Sequence, residues 1–239
     1  MKHVSTLAGR ELSVYFLSPI AYVVLTIFLA VSGVLFITQV FSPGAESSLR
    51  GLSNEVWPII LVFMLPMITM RLLSDEFRSG TIETLMTAPV TDADVVLGKF
   101  LGAMVFYLVI LATTFVYPVL LMIWGSVDWG MAFSTYLGLI LLGGFFISVG
   151  LFFSAWTSNQ VIAVVCSFML LAVLMFLARY LGGFLSGLPR MLVQHVDVRY
   201  HYQDFARGAV VLNHVVYFVT VTALFLFLTV KTLESRRWR

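Results

Sequence analysis

Long apolar runs with few charged side chains recur along this sequence, and they constrain its fold more than any other feature. An α-helix needs about 20 apolar residues to cross the hydrocarbon core of a bilayer. Runs near this length are Ile20–Phe41, Trp57–Leu73, Val96–Trp124, Met131–Ala155, Val161–Ala178 and His214–Val230. The pattern predicts an all-α integral membrane protein with six transmembrane helices.

The composition also indicates a lipid environment. Hydrophobic residues make up 60% of the chain and charged residues 11%, whereas a soluble domain carries about 25% charged residues. A chain this apolar cannot cover its surface with polar groups, so part of that surface must face lipid. The first apolar run exceeds the roughly 7–15 residues of a signal-peptide core, so we expect it to be retained as a span. The net charge of +2 is too small to indicate nucleic acid.

Lysine and arginine predict the orientation in the membrane. Six spans place both termini on one side, together with the majority of the 14 basic residues. That majority comprises Lys2, Arg10, Arg71, Arg78, Lys99, Lys231, Arg236, Arg237 and Arg239. Because cytoplasmic flanks are enriched in basic residues, we expect both termini in the cytoplasm.

Two stretches outside the spans carry helical patterns of their own. In residues 1–19, apolar side chains recur at helical spacing, which predicts an interfacial helix on the cytoplasmic membrane surface; a plain juxtamembrane anchor is the alternative. Residues 179–213 are too long for a simple connection and too rich in aromatic residues for a disordered loop. We expect short, partly re-entrant outer helices there, before the last span.

The interiors of the spans lack ionisable residues, which excludes several classes of transporter. Proton-coupled transporters, pumps and voltage sensors place such groups at membrane depth. The chain also lacks an ATP-binding phosphate loop, because Gly98-Lys99 is followed by Phe100 instead of Ser or Thr. Lys99 is therefore expected to snorkel to the membrane interface. Energy for any transport must come from another protein.

Two groups of residues raise the question of a metal site. Met64, Met67 and Met70 have sulfur ligands that suit Cu(I), but this spacing is more typical of packing. His195, Asp197 and His201 lack the spacing of a known site. We predict no metal, no bound cofactor and no catalytic residue in this chain, and Cys166 has no partner for a disulfide.

The segment 74–94, between the second and third spans, has the features of a docking helix. The sequence predicts a helix with a break near Gly80, closed by Pro89, with Thr91 and Asp94 capping the next helix. Glu76 and Glu83 fall on one helical face, and apolar contact would come from Phe77, Ile82, Leu85 and Met86. From these residues alone, docking onto another protein and a solvated loop are both open.

The same segment resembles a known signature. Residues from Glu76 to Pro89 match the pattern E-x-x-x-G-T-[LI]-E-x-L-[LM]-x-x-P, and Leu97-Gly98-Lys99 follows, as in ABC-2 type permeases. The residues from Phe205 to Trp238 resemble the gliding-motility-associated permease branch. The order of elements is similar over nearly all of residues 1–239, which implies one domain with the ABC-2 type exporter permease fold.

The resemblance implies a role for the segment and a set of partners. The ATPase-coupling residues would be Glu76, Phe77, Gly80, Thr81, Glu83, Leu85 and Pro89. The chain would be a non-enzymatic subunit of the bacterial inner membrane, and ATP would be used by a dimer of separate ATPase subunits. A second permease half, identical or related, would complete the path, and a larger accessory membrane protein with an extracytoplasmic domain would accompany it. The substrate is not implied.

Two other classes of function stay open. A membrane anchor would recruit a cytoplasmic ATPase without transport. A lipid-modifying membrane enzyme would use the His and Asp residues of the outer segment as catalytic groups.

Overall fold

The computed structural model describes residues 2–40, 52–82, 90–124, 127–181, 187, 193 and 195–237. Over these residues the chain is almost entirely helical and contains no β-strand, as the all-α prediction requires. The rest of the chain, including residues 83–89 and most of 182–194, lies outside the described residues.

The first two helices are separated at Ser18. Helix α1 spans Lys2–Leu17 and helix α2 spans Pro19–Val40. Between them, the Ser18 amide donates to the Tyr15 carbonyl at 3.1 Å and the Ala21 amide donates to the Ser18 carbonyl at 3.1 Å. The predicted N-terminal helix is thus a separate element, and it packs along α5 (Asp92–Thr113). Its position on the membrane surface stays a prediction.

The second apolar run is divided in two. A short π-helical turn, Leu52–Val56, leads into α3 (Trp57–Thr69), and α4 follows (Arg71–Ser79). The break lies at Met70, four residues after Pro66. Ser154 Oγ holds it, because it donates to the Met70 carbonyl at 2.9 Å and accepts from the amide of Leu73 at 2.9 Å.

The third apolar run is divided for a related reason. Helix α5 ends at Thr113 and α6 spans Val116–Trp124. Pro118 has no N–H to donate to the carbonyl of Thr114, which instead accepts from the Tyr117 amide at 3.0 Å. The start of α5 matches the sequence prediction, since Thr91 and Asp94 form a reciprocal capping box.

Helix α7 (Trp129–Trp156) lies at the centre of the molecule. Packed against it are α3, α4, α5, α8 (Gln160–Leu181), α9 (Val198–Ala206) and α10 (Leu212–Arg237). Two of its glycines make room for aromatic side chains, because Gly138 lies against the Phe205 ring and Gly143 against the Tyr107 ring.

Within the described residues, five helical stretches are long and apolar enough to cross a membrane. They are Pro19–Thr38, Leu52–Ser79, Asp92–Ile123, Trp129–Trp156 and Leu212–Arg236. The other predicted span, Val161–Ala178, lies within α8, whose apolar part Gln160–Phe176 falls just short of that length. A multi-pass membrane protein is therefore supported, while the sixth span and the re-entrant outer helices stay predictions.

Candidate functional site

Buried Lys99 forms an ion triad with two partly exposed glutamates from different helices. Its Nζ atom lies 2.8 Å from Glu11 Oε1 on α1 and 2.8 Å from Glu76 Oε1 on α4. Lys99 itself is on α5 and is 3% exposed. The expectation that Lys99 snorkels to the interface is therefore wrong, because two carboxylates hold its ammonium group inside the protein.

Two glycines on α5 allow α1 to come close enough to form the triad. A Cβ atom added at Gly98 would lie 2.7 Å from Leu7 Cβ, and one added at Gly102 would lie 2.7 Å from Glu11 Cβ. Both distances are too short for real Cβ contacts, so a larger residue would push the helices apart. The G-x-x-x-G spacing of Gly98 and Gly102 is a known signal for close helix packing and could have predicted this contact.

The triad fixes α1, α4 and α5 relative to one another, but it requires charged groups to be removed from water. Two carboxylates share one ammonium group, and Glu76 Oε2 is buried without a hydrogen-bond partner among the described residues. Removing charges from water costs several kcal/mol per ion unless partners compensate for it. The arrangement is stable only while α1, α4 and α5 keep their positions, so a displacement of α4 affects the other two helices.

Tyr15 provides a second link from α1 to the same region. Its hydroxyl donates to the Ile68 carbonyl at 3.2 Å, and its ring stacks on Phe106 with 4.8 Å between centroids. Burial raises the pKa of Tyr15 well above its usual value, and the nearby Glu11 adds to this effect. The hydroxyl is therefore neutral and remains a donor, which ties α1 to the end of α3 as well as to α5.

The predicted coupling residues lie at the exposed end of α4, as far as the structure describes them. Glu76 and Phe77 are on α4, Gly80 ends that helix with φ of 73°, and Thr81 follows in an exposed position. The predicted break near Gly80 is therefore confirmed. Glu83, Leu85 and Pro89 lie outside the described residues, so the segment as a whole stays a prediction.

Phe77 brings the last helix to the same site. The guanidinium carbon of Arg236 lies 4.5 Å from the centre of the Phe77 ring, a geometry that favours a cation–π interaction. The same guanidinium donates to the carbonyl of Trp156 at the end of α7. Glu76 and Phe77 thus contact α5 and α10, and Lys99 links Glu76 to α1. The roles of Glu11, Lys99 and Arg236 at this site were not predicted from the sequence, because they depend on which helices are neighbours.

A second polar cluster joins α9 to α10. His201 Nδ1 lies 2.7 Å from His214 Nδ1, and His214 Nε2 lies 2.8 Å from Asp204 Oδ2. His201 Nε2 faces the carbonyl of His195 at 3.1 Å, so it must donate there. Neutral His201 then accepts at Nδ1 from His214, whose other ring nitrogen faces the Asp204 carboxylate.

This cluster does not have the features of a catalytic site. Both imidazoles are mostly buried, with 7% exposure each, and every ring nitrogen already has a partner. Burial is also the main reason that the pKa of His201 is lowered. No ring nitrogen in this arrangement is open to a substrate as a general base. The geometry therefore favours a structural role, in which the cluster joins α9 to α10.

The residues considered for metal binding do not converge. Asp197 accepts from the Arg199 amide at 2.9 Å and caps α9, while His201 faces His214. Met64 is buried and Met67 is 43% exposed, so their side chains face different surroundings. In the described part of the chain, no three His, Cys, Asp or Glu side chains are grouped to hold a metal ion.

The chain matches a family of transport proteins over most of its length. A family model described as "ABC-2 family transporter protein" matches residues 22–233. No curated protein is similar enough to count as a relative. The matched range includes Lys99 and Glu76, whereas Glu11 precedes it. The ABC-2 resemblance of the sequence is confirmed, but the match does not identify a branch within the family.

Proposed function

This chain belongs to the ABC-2 family of transporter proteins, and from that premise we propose that it forms half of an ATP-driven exporter and couples to separate ATPase subunits through residues 74–94. The family supports a permease subunit, which is a transport component that associates in general with an ATP-binding subunit. Export, the coupling residues and the specific partners belong to the proposal.

The observation that carries the proposal is the Glu11–Lys99–Glu76 triad. Glu76 lies near the start of the predicted coupling segment, and its carboxylate pairs with Lys99 on α5. A push on this segment acts on α4 and, through Lys99, on α5 and α1. The two spans that flank the segment would therefore move together, as transport driven by an external ATPase requires.

The peripheral helices offer a surface for a second permease half. Only 28% of the most apolar part of Pro19–Thr38 is buried inside the protein. The share is 11% for Leu212–Arg236 and 72% for Trp129–Trp156. We expect a second half, identical or related, to cover part of this apolar surface, with lipid covering the rest. Membership of the gliding-motility branch, with its larger accessory membrane protein, is part of the same proposal.

A test of coupling is ATP hydrolysis in proteoliposomes that contain the permease and its ATPase. We expect Glu83→Arg, and deletion of residues 81–89, to abolish the stimulation of hydrolysis that assembly with the permease produces. Membrane insertion and expression should be unchanged. The matched control is Glu234→Arg, a reversal at a glutamate that is 40% exposed near the end of α10, and it should leave stimulation intact.

The result also separates the rival functions. Stimulation that survives both coupling variants would remove the role assigned to the segment. Stimulation without movement of any cargo would favour a membrane anchor that recruits the ATPase. Turnover of a lipid by the purified chain alone would favour a membrane enzyme.

A further inference from the structure

A cavity of about 510 Å³ lies in the angle between α1, α2 and the α3–α4 pair. This volume is within the range of about 300–1,000 Å³ that is typical of small-molecule sites. Its walls are mainly apolar and include Val14, Tyr15, Ile20, Ala21, Val24 and Ile68. The cavity lies beside the triad, because Glu11, Glu76 and Lys99 also line it.

The surface around the cavity indicates which solvent it meets. Two of its lining residues, Leu17 at the end of α1 and Met67 on α3, are 83% and 43% exposed. Both are large apolar side chains, and they adjoin helices that are apolar enough to span a membrane. The medium that meets such a surface is the hydrocarbon of the bilayer, so an acyl chain is the natural occupant of the apolar space.

The charges of the lining residues are divided between a buried part and an exposed part. The buried part is the triad, which carries a net charge of −1 because the carboxylates of Glu11 and Glu76 share the one ammonium group of Lys99. Arg10 and Arg71 are exposed. Arg71 Nε lies 4.0 Å from Asp75 Oδ2, and both side chains are 42% exposed. Arg10 makes no ion pair with any described residue. The exposed part therefore carries a net positive charge made of guanidinium groups, which bind phosphate with two parallel hydrogen bonds.

We propose that this cavity binds one phospholipid from the leaflet in which α1 lies. The acyl chain occupies the space between Val24 and Ile68, and the phosphate lies at Arg10 and Arg71. The ligand needs both parts, because neither the apolar wall nor the two exposed arginines alone provides a complete site. This inference goes beyond the proposed function and does not require an ATPase, so either one can fail without the other.

Native mass spectrometry of the full-length chain in detergent tests the site. The probes are phosphatidylglycerol, diacylglycerol, which lacks the phosphate, and glycerol 3-phosphate, which lacks the acyl chains. We expect retention of one phosphatidylglycerol and at least about tenfold weaker binding of the other two. A tenfold change corresponds to about 1.4 kcal/mol, which is less than a typical hydrogen bond to a charged group contributes.

Variants connect the binding to the proposed residues. Arg10→Ala combined with Arg71→Ala should weaken phosphatidylglycerol binding at least about tenfold. Arg78→Ala is the matched control, since Arg78 is an exposed arginine on the same helix α4 but outside the cavity, and it should bind like the unmodified protein. Melting temperatures of all variants identify any that fail to fold, and a phospholipid with a photoreactive acyl chain then locates the site in the unmodified protein.

The outcomes are distinct. Labelling of the peptides that contain Val14, Val24 or Met67 supports the site. Labelling elsewhere, equal binding of diacylglycerol, equal binding of glycerol 3-phosphate, or full binding by a folded double-arginine variant would each overturn it.

Discussion

At the scale of single residues, Lys99 is the point at which three helices of this permease meet. Its ammonium group contacts carboxylates of α1 and α4 while its own backbone belongs to α5. A lysine is almost never fully buried unless it is paired. The position therefore depends on both glutamates, and its loss leaves two like charges facing each other in a confined space.

Replacement of Lys99 by methionine should destabilise the protein strongly. Removing one partner of a buried ion pair typically costs about 3–5 kcal/mol, because the remaining charge is uncompensated. The free energy of unfolding, measured by denaturant titration in detergent micelles, should fall by this amount for Lys99→Met.

Lys231→Met is the matched control for this change. Its ion pair with Glu234 has both side chains at least 40% exposed, and such surface pairs contribute about 0–1 kcal/mol. A triple variant with Glu11→Gln and Glu76→Gln should recover part of the loss at Lys99. Equal effects of Lys99→Met and Lys231→Met would show that the triad does not hold the helices together.

His201 gives the molecule a sensitivity to acid. Burial lowers the pKa of His201 below the usual 6.5, and the charge of His214 adds to the effect, whereas Asp204 opposes it. Tyr200 and Tyr217 pack against its ring, and His195 provides the carbonyl acceptor. Because the folded state binds this proton less readily than the unfolded state, stability should fall as the pH drops below about 6.5.

Hydrogen exchange of α9 at pH 8 and pH 5 measures this effect. After correction for intrinsic exchange rates, protection of Val198–Ala206 should decrease at pH 5. The decrease should be smaller in His201→Gln, which cannot take up the proton. The same decrease in both proteins would assign the acid response to another group.

At the scale of elements, the contact between α1 and α5 depends on glycine. Gly102→Ala should destabilise the protein by about 1–3 kcal/mol, the usual cost of overpacking, because its Cβ would meet Glu11 Cβ. Gly144→Ala is the control, since the atoms nearest to its added Cβ are 3.9 Å away and alanine favours a helix by about 1 kcal/mol. Thermal unfolding in detergent compares the two. If Gly102→Ala melted at or above the temperature of Gly144→Ala, the close approach of α1 would be contradicted.

The elements also show what local sequence can and cannot predict. The capping box at Thr91 and the helix end at Gly80 follow from rules that involve only neighbouring residues, and both predictions are confirmed. The breaks at Met70 and Thr114 arise four residues away from a proline, after Pro66 in one case and before Pro118 in the other. The side of the proline on which the helix breaks depends on hydrogen-bond partners such as Ser154, which come from distant parts of the chain.

The candidate site was predicted less completely than the fold. Glu76 and Phe77 were found through a family signature, whereas Glu11 and Arg236 reach the site only through tertiary packing. Lys99 was noticed but assigned to the wrong environment. The apolar residues that flank Lys99 and its place near a helix end suit a snorkelling lysine as well as a buried, paired one. Only the carboxylates of two other helices decide between these two environments.

At the scale of the whole molecule, the most buried span, α7, lies at the centre, while Lys99 on α5 joins α1 to α4 through their glutamates. The end that carries the coupling segment is therefore also the end where the triad joins the helices. We propose that a separate ATPase contacts this chain at residues 74–94 and that the force spreads from there.

Site-specific photo-crosslinking tests this contact. A photoreactive amino acid at Leu85 should form an adduct with the ATPase subunit in intact membranes, and one at exposed Val210, before α10, should not. Absence of the Leu85 adduct under conditions where the ATPase is assembled, or an adduct from Val210 instead, would contradict the account.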